Sequence, residues 1–124
     1  MQNILIVDDS TTIRRMVAAS LRKLNDVIFD EASSGLEAIE RLSFMPASLM
    51  ILDLNMPDMH GLDVLKFVRS QQSGSRLPVI ILTTRSDHEN RQAALAAGAT
   101  AYMTKPFHPE ELLSTVEGLL KAHE

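Results

Sequence analysis

Three runs of consecutive apolar residues place the strongest limit on how this chain can fold. They cover residues 3–8, 49–53 and 78–83 and read Asn-Ile-Leu-Ile-Val-Asp, Leu-Met-Ile-Leu-Asp and Pro-Val-Ile-Ile-Leu-Thr. A run that is apolar at every position, rather than at alternate ones, is typical of a strand covered on both faces. Pro78 is compatible with the first position of a strand because no ladder donor is needed there. The three runs therefore predict the central strands of a parallel sheet packed between helices.

The segments between these runs alternate helical and strand patterns. Residues 27–32 and 99–104 predict two further strands, and the charges of Asp30 and Glu31 suit an edge of the sheet. Five helices are predicted, the first over residues 11–24 and the third over residues 61–71. The second opens with a Ser34/Glu37 capping box and turns Leu36, Ile39 and Leu42 inward. The fourth runs from a Ser86/Glu89 capping box to Gly98, and the fifth opens with Pro109. This alternation predicts an α/β fold with a single doubly wound five-stranded parallel sheet.

The polarity of the strands also predicts their order in the sheet. The all-apolar strands one, three and four belong in the centre, and strands two and five belong at the edges. The resulting order 2-1-3-4-5 is the flavodoxin-like arrangement. Its switch point lies between strands one and three, so a ligand is expected beyond their carboxyl ends.

Composition narrows the class of protein. A length of 124 residues predicts one domain, residues 1–124. The net charge of −4 and the scattered basic residues argue against direct nucleic-acid binding. No segment approaches the ~18 consecutive apolar residues of a membrane span, so membrane insertion is not expected. The absence of cysteine and of a signal-peptide pattern favours a cytoplasmic location.

Polar residues at the strand ends converge on one mouth of the predicted sheet. Asp8 and Asp9 follow strand one, and Asp53 follows strand three. Three carboxylates in one crevice repel each other unless a cation sits between them. Mg²⁺ suits such oxygen ligands. Asp9 and Asp53 are the candidate ligands, with Asp8 holding a coordinated water and the backbone carbonyl of Asn55 adding a further oxygen.

The same strand ends suggest phosphoryl chemistry. A carboxylate can act as a nucleophile toward phosphorus when a metal and a lysine neutralise the transferring group. Asp53 is the candidate nucleophile, Lys105 the positive partner and Thr83 the hydroxyl donor. Ordinary nucleotide hydrolysis is not expected, because neither a G-x-x-x-x-G-K-[ST] loop nor a G-x-G-x-x-G fingerprint occurs.

Over essentially its whole length the chain resembles the receiver domains of two-component response regulators. The matching segments are Val7-Asp8-Asp9-Ser10, Asp53-Leu54-Asn55-Met56-Pro57-Asp58 with Gly61, Leu82-Thr83, Gly98-Ala99 and Thr104-Lys105-Pro106-Phe107. Each segment alone is a weak signal, but together and in this order they are highly specific.

The resemblance implies a role for each residue of the site. Asp53 would accept a phosphoryl group from the phosphohistidine of a histidine kinase, and Asp8 and Asp9 would be the acidic pair for Mg²⁺. Thr83 would be the switch hydroxyl, and Lys105 would contact the phosphoryl group and precede a cis peptide bond to Pro106. Tyr102 falls on the aromatic position that rotates on activation, although a half-buried tyrosine on an edge strand is also ordinary packing.

The resemblance further implies a signalling switch rather than an enzyme, limited to self-phosphorylation and slow autodephosphorylation. The expected partners are a sensor histidine kinase or phosphotransfer protein and a downstream protein target, which binds helix four, strand five and helix five. A monomer is expected, with dimerisation on activation as an option. The simplest interpretation is a stand-alone regulator akin to chemotaxis regulators, and the alternative is a receiver domain of a larger multidomain regulator or hybrid kinase.

Two other classes share part of this pattern. Phosphatases of the haloacid-dehalogenase type also use a strand-end aspartate with Mg²⁺, but their motif carries a second aspartate where this chain has Asn55. A flavin carrier of the same topology is suggested only by Ser10-Thr11-Thr12. Asp8 and Asp9 would repel the flavin phosphate there. Both alternatives are therefore less favoured than the signalling switch.

Overall fold

The protein, described by a computed structural model over residues 1–84 and 88–123, consists of alternating strands and helices. The strands are β1 (Gln2–Val7), β2 (Val27–Ala32), β3 (Leu49–Leu52), β4 (Val79–Thr83) and β5 (Ala101–Thr104). The helices are α1 (Thr11–Ser20), α2 (Gly35–Phe44), α3 (Gly61–Ser70), α4 (His88–Ala96) and α5 (Pro109–Ala122), with a short 3₁₀ turn at Gln72–Gly74. The predicted α/β alternation is confirmed.

All strand pairs are parallel, and their order is β2-β1-β3-β4-β5, as predicted. The register places Val7 of β1 opposite Leu52 of β3. The residue that follows each of these strands is an aspartate, Asp8 after β1 and Asp53 after β3. The Asp53 amide donates to the Val7 carbonyl over 3.0 Å. The sheet register therefore brings the first and third strand ends side by side.

Two apolar layers cover the sheet, because successive strand residues point to opposite faces. One layer joins β1, β3 and β4 to α2, α3 and α4 through Leu5, Met50, Ile81, Ala38, Val64, Leu65 and Ala94. The other joins the same strands to α1 and α5 through Ile4, Ile51, Ile80, Val17, Leu112, Val116 and Leu120. Burial on both faces explains why residues 4–7, 49–52 and 79–82 are apolar at every position.

Several boundaries differ from the sequence-based expectation. Helix α1 ends at Ser20 instead of residue 24, and Leu21 caps it with φ −103° while its amide still bonds to Val17 and Ala18. Strand β5 begins at Ala101 instead of residue 99, because the Ala99 amide donates to Ala94 at the end of α4. Both differences arise at helix ends, where the last turn departs from regular geometry.

The predicted inward face of α2 is wrong at Leu36, whereas Leu42 packs against an apolar layer as predicted. Leu36 is 64% exposed, whereas Gly35 and Ala38 are buried. The helix lies so close to Met59 that a Cβ on Gly35 would be 2.8 Å from the Met59 Cβ. Of the predicted Ser34/Glu37 capping box, the Ser34 hydroxyl accepts from the Glu37 amide over 3.1 Å, but the Glu37 carboxylate accepts from the Ser33 amide. The predicted Ser86/Glu89 capping box lies outside the side chains that the structure describes.

Candidate functional site

Three aspartates meet at the carboxyl ends of β1 and β3. Asp8 and Asp53 are 3% and 2% exposed, and Asp9 is exposed to solvent. One ligand atom from each of the three lies within 4.8 Å of the others. The register of β1 against β3 produces this cluster, since Asp8 and Asp53 directly follow the two paired strands and Asp9 follows Asp8. The structure therefore brings together the three acids that the sequence pattern singled out.

Lys105 reaches this cluster from the end of β5. Its Nζ lies 2.5 Å from Asp8 Oδ2 and 3.7 Å from Asp53 Oδ2. The Lys105 amide donates to the Thr83 carbonyl over 2.7 Å, and the Lys105–Pro106 peptide bond is cis. Lys105 thus pairs more closely with Asp8 than with Asp53, so one carboxylate is neutralised more fully than the other.

Asp8 is also held by groups of its own strand-to-helix loop. Its Oδ1 accepts from the Ser10 amide over 2.9 Å. Its carbonyl accepts from Arg14 Nη1 over 2.6 Å, and Arg14 Nε pairs with Glu31 of β2 over 2.8 Å. Arg14 carries no sequence signal for this role, because its partners are a backbone carbonyl and a residue from another strand.

Asp53 accepts hydrogen bonds from the Asn55 amide and the Thr83 hydroxyl and lies farther from Lys105 than Asp8 does. Its Oδ1 accepts from the Asn55 amide over 3.3 Å, and the Asn55 side-chain amide donates to the Thr83 hydroxyl over 3.3 Å. Burial raises the pKa of Asp53, Lys105 opposes that rise, and the negative charge of Asp8 adds to it. Asp53 is therefore a buried carboxylate whose negative charge the protein compensates only in part.

Gly61 brings the first turn of α3 against the Asp53 backbone. The Gly61 amide donates to the Leu54 carbonyl over 2.8 Å. A Cβ at position 61 would lie 2.4 Å from the Asp53 carbonyl oxygen, which is closer than any real contact. A side chain at this position would displace the loop that carries Asp53. The absence of a side chain at position 61 therefore lets α3 pack closely against the loop that carries Asp53.

A pocket of about 450 Å³ opens above these groups. The polar lining includes the acids, Asn55 and Lys105, and the apolar lining consists of Ile13, Met16, Pro106 and Phe107. Thr84 also lines the pocket, a position without a predicted role, whereas Thr83 is buried beneath it. The pocket has room for a small charged group in contact with the carboxylates.

Tyr102 does not line this pocket. It is half-buried on β5, opposite Ile81 of β4, and the guanidinium carbon of Arg91 on α4 lies 5.6 Å from its ring centroid. The cation over the ring face is a favourable contact between α4 and β5. The predicted switch tyrosine therefore lies against α4 and outside the lining of the pocket.

The donor set fits a hard divalent cation. Three carboxylates with ligand atoms within 4.8 Å supply the oxygen ligands that Mg²⁺ prefers, and the excess of negative charge favours a cation.

Within residues 1–84 and 88–123, no helix is both long enough and apolar enough to span a membrane.

Fold and site together define a flavodoxin-like domain with an acidic pocket at its switch point. Residues 4–117 match the model of the response regulator receiver domain, and the chain belongs to this family. The family match favours the predicted receiver over the phosphatase and the flavin carrier.

The similar proteins include chemotaxis regulators. Chemotaxis protein CheY1 of Helicobacter pylori is 38% identical over 98% of both chains. The solved structure of CheY4 of Vibrio cholerae is 37% identical, with a TM-score of 0.88 over 96% of this chain and 98% of that one. Response regulator Rcp1, solved in a Mn²⁺-bound form, is 28% identical, with a TM-score of 0.82 over 96% and 91%.

These similarities establish the general activity. CheY-like receivers are signalling domains of two-component systems, controlled by phosphorylation, and they interact with histidine kinases and downstream targets. Receiver domains also bind Mg²⁺ at an acidic pocket, which agrees with the cluster of Asp8, Asp9 and Asp53. The chain is therefore a signalling domain and not a classical enzyme.

Proposed function

We propose that this protein is a phosphorylation-activated switch in which Asp53 accepts a phosphoryl group from a histidine kinase or phosphotransfer protein. The observation that carries the proposal is the buried, partly compensated carboxylate of Asp53 within 3.7 Å of Lys105 and beside two further acids. A receiver domain over residues 1–124 and a cytoplasmic location are parts of the same proposal.

Asp9, Asp53 and the Asn55 carbonyl would hold Mg²⁺, and Asp8 would hold a coordinated water. When bound, the cation would screen the carboxylates from one another and neutralise charge on the phosphoryl oxygens. The Mn²⁺-bound form of Rcp1 supports a divalent cation in a fold of this kind. The extra contacts of Asp8 with Ser10 and Lys105 support its less direct role.

The transfer needs one nucleophile and two groups that stabilise charge. A carboxylate oxygen of Asp53 forms a bond to phosphorus while the phosphorus–nitrogen bond of the phosphohistidine breaks and the imidazole leaves. Lys105 would pair with a phosphoryl oxygen, and the Thr83 hydroxyl would donate to another. Burial of Asp53 and Thr83 limits competing solvent contacts with these groups.

The output would pass from Thr83 to Tyr102 and then to the surface of α4, β5 and α5. Movement of the Thr83 hydroxyl toward the phosphoryl group would free space for the Tyr102 ring, which already contacts α4 through Arg91. A downstream protein target would bind this surface. The protein would act as a monomer, with dimerisation on activation as a further option.

Acetyl phosphate and Mg²⁺ provide a direct test. Intact-mass spectrometry of the wild-type protein should show one added phosphoryl group, and chelation of Mg²⁺ should abolish it. The shift should be absent from Asp53→Asn. The matched control is Asp63→Asn, which removes an exposed acid from the first turn of α3 and should leave the shift intact. Persistent phosphorylation of Asp53→Asn would refute the assignment.

A further inference from the structure

Arg69, near the end of α3, is a partly buried cation that contacts only carbonyl oxygens among the described residues. Its Nε and Nη2 donate to the Gly98 carbonyl over 3.0 and 2.7 Å, and its Nη1 donates to the Gly74 carbonyl over 2.8 Å. Burial lowers the pKa of Arg69. A desolvated guanidinium is costly unless its donors are satisfied, so these contacts have to be well formed.

Gly98 terminates α4 in a left-handed conformation with φ +106°. The Gly98 amide donates to Leu95 over 3.1 Å, and the Ala99 amide donates to Ala94 over 2.9 Å. The carbonyl that Arg69 binds therefore lies at the C-terminal end of α4, where the helix dipole is negative and a cation is favourable. Arg69 acts as a cap supplied to α4 by another helix.

The fit between the two residues is close. A Cβ on Gly98 would lie 2.9 Å from Arg69 Nε and 3.2 Å from its Cδ. Glycine is thus needed at position 98 both for its positive φ and for the approach of the guanidinium. The contact joins the Arg69 guanidinium to the backbone carbonyl of Gly98, and it requires glycine at that position.

The rest of α4 is held weakly. Ala94 is the buried residue that α4 contributes to the core among the described side chains, and Leu95 is 44% exposed. Helix α5, by contrast, buries Leu112, Val116 and Leu120. Because α4 gains little from apolar burial, its attachment depends strongly on the Arg69 contact at its C-terminal end.

Helix α3 connects this attachment to the site. Its first residue, Gly61, donates a hydrogen bond to Leu54 in the loop that carries Asp53, and Arg69 lies in its last turn. The contact with Gly74 joins the following 3₁₀ turn to the same unit. The C-terminal end of α4 is thus fixed to the helix that supports Asp53, while the first residue of α4, His88, comes four positions after Thr84 in the sequence.

We propose that Arg69 is a positioning residue that clamps the C-terminal end of α4, so that α4 rotates about Gly98 as a lever when the acceptor site changes state. This inference rests on the proposed function, since it needs a change at Asp53 and Thr83 to move the opposite end of the helix. A nine-residue helix is about 13 Å long, so a small shift at its start becomes a tilt and not a translation.

Segment-resolved amide exchange, with and without beryllofluoride and Mg²⁺, tests this lever. In the wild-type protein, beryllofluoride should change exchange in residues 91–94 and leave residues 97–99 unchanged. In Arg69→Met, residues 97–99 should exchange about tenfold faster, because hydrogen bonds from a charged group are lost. The beryllofluoride response should then spread to them.

Arg69→Lys and Arg76→Met are the companion variants. Arg69→Lys keeps the charge but loses the planar fork, so residues 97–99 should show an intermediate increase, and it replaces Arg69→Met if that variant does not fold. Arg76→Met removes an exposed arginine from the same region and should match the wild type. If residues 97–99 exchange at the wild-type rate in both Arg69 variants, the clamp is overturned. If beryllofluoride changes amide exchange equally along the whole of α4 in the wild-type protein, the lever is overturned.

The acetyl phosphate mass shift separates this inference from the proposed function. Arg69→Met should still gain the phosphoryl group, because Arg69 does not contact the pocket. A retained mass shift with no change in the exchange pattern refutes the lever alone. A missing mass shift in the wild-type protein refutes the proposed function and the lever with it.

Discussion

The carboxyl edge of the sheet and the two apolar layers are built on opposite principles. Of the buried polar side chains that the structure describes, Asp8, Asp53 and Thr83 lie at the carboxyl edge, and Asn3 lies at the start of β1. The layers contain large apolar side chains such as Ile51 and Leu65, which are almost completely buried. The layers supply the free energy of folding, whereas the edge places charges where burial opposes them.

The site and the core should therefore respond to substitution in opposite directions. Removing a core side chain should cost stability and leave the chemistry intact. Removing the central charge of the site should favour folding and abolish the chemistry. Proteins commonly hold such a locally unfavourable group where function requires it.

The largest effect is expected in the core. Leu65→Ala should lower the free energy of unfolding by about 2–5 kcal/mol, because Leu65 is fully buried and its removal leaves a cavity. Urea denaturation measures this loss. Leu36→Ala is the matched control, since Leu36 is mostly exposed and its truncation should change stability little. A loss of acetyl phosphate labelling in folded Leu65→Ala protein would contradict the separation of core and site.

A smaller change in stability, of opposite sign, is expected on replacing Asp53 at the carboxyl edge of the sheet. The raised pKa of Asp53 means that the folded state holds its proton more tightly than the unfolded state. The stability of wild-type protein should therefore fall as pH rises from the ordinary carboxyl pKa through the raised one. Asp53→Asn should remove this loss and be more stable than wild type at neutral pH, and the gain should vanish in acid.

Urea denaturation across a pH series, in buffer with a chelator, measures the Asp53→Asn effect. Asp63→Asn serves as the control, because Asp63 is exposed on α3. Adding Mg²⁺ at neutral pH should stabilise wild type and Asp63→Asn through binding to the folded state, but stabilise Asp53→Asn much less. A neutral-pH stability of Asp53→Asn below that of wild type would show that Lys105 outweighs burial.

The smallest effect is expected on α5. Gly118 lies within the helix, is exposed, and a Cβ there would meet no atom within 4 Å. Gly118→Ala should therefore raise the free energy of unfolding by about 0.5–1 kcal/mol, because alanine loses less backbone entropy on folding. Thermal denaturation measures the gain, and phosphorylation by acetyl phosphate should be unaffected. An unchanged melting temperature would indicate that the helix is strained at this position.

Sequence patterns predicted the features that depend on local periodicity and strand order. The apolar runs indicated strands buried on both faces, and their relative polarity indicated the order 2-1-3-4-5. Since parallel strands end at one edge, the positions of Asp8, Asp53, Thr83 and Lys105 along the chain were enough to predict that these residues meet.

Other features could not be predicted because they depend on how elements approach one another. Periodicity alone placed Leu36 inward, whereas in the structure Gly35 lies against Met59 and Leu36 is exposed. Arg14 and Arg69 bind backbone carbonyls, which every residue offers, so no residue pattern marks their partners.

The layered fold, the family and the set of charged residues at the switch point can be read from the chain alone, because they follow from periodicity and from residue identity at strand ends. Only the tertiary structure decided how charge is shared among them, with Lys105 closer to Asp8 than to Asp53. It also decided that Arg69 holds the end of α4. Both depend on distances between groups on separate elements, which are set by the packing of those elements and not by the order of residues along the chain.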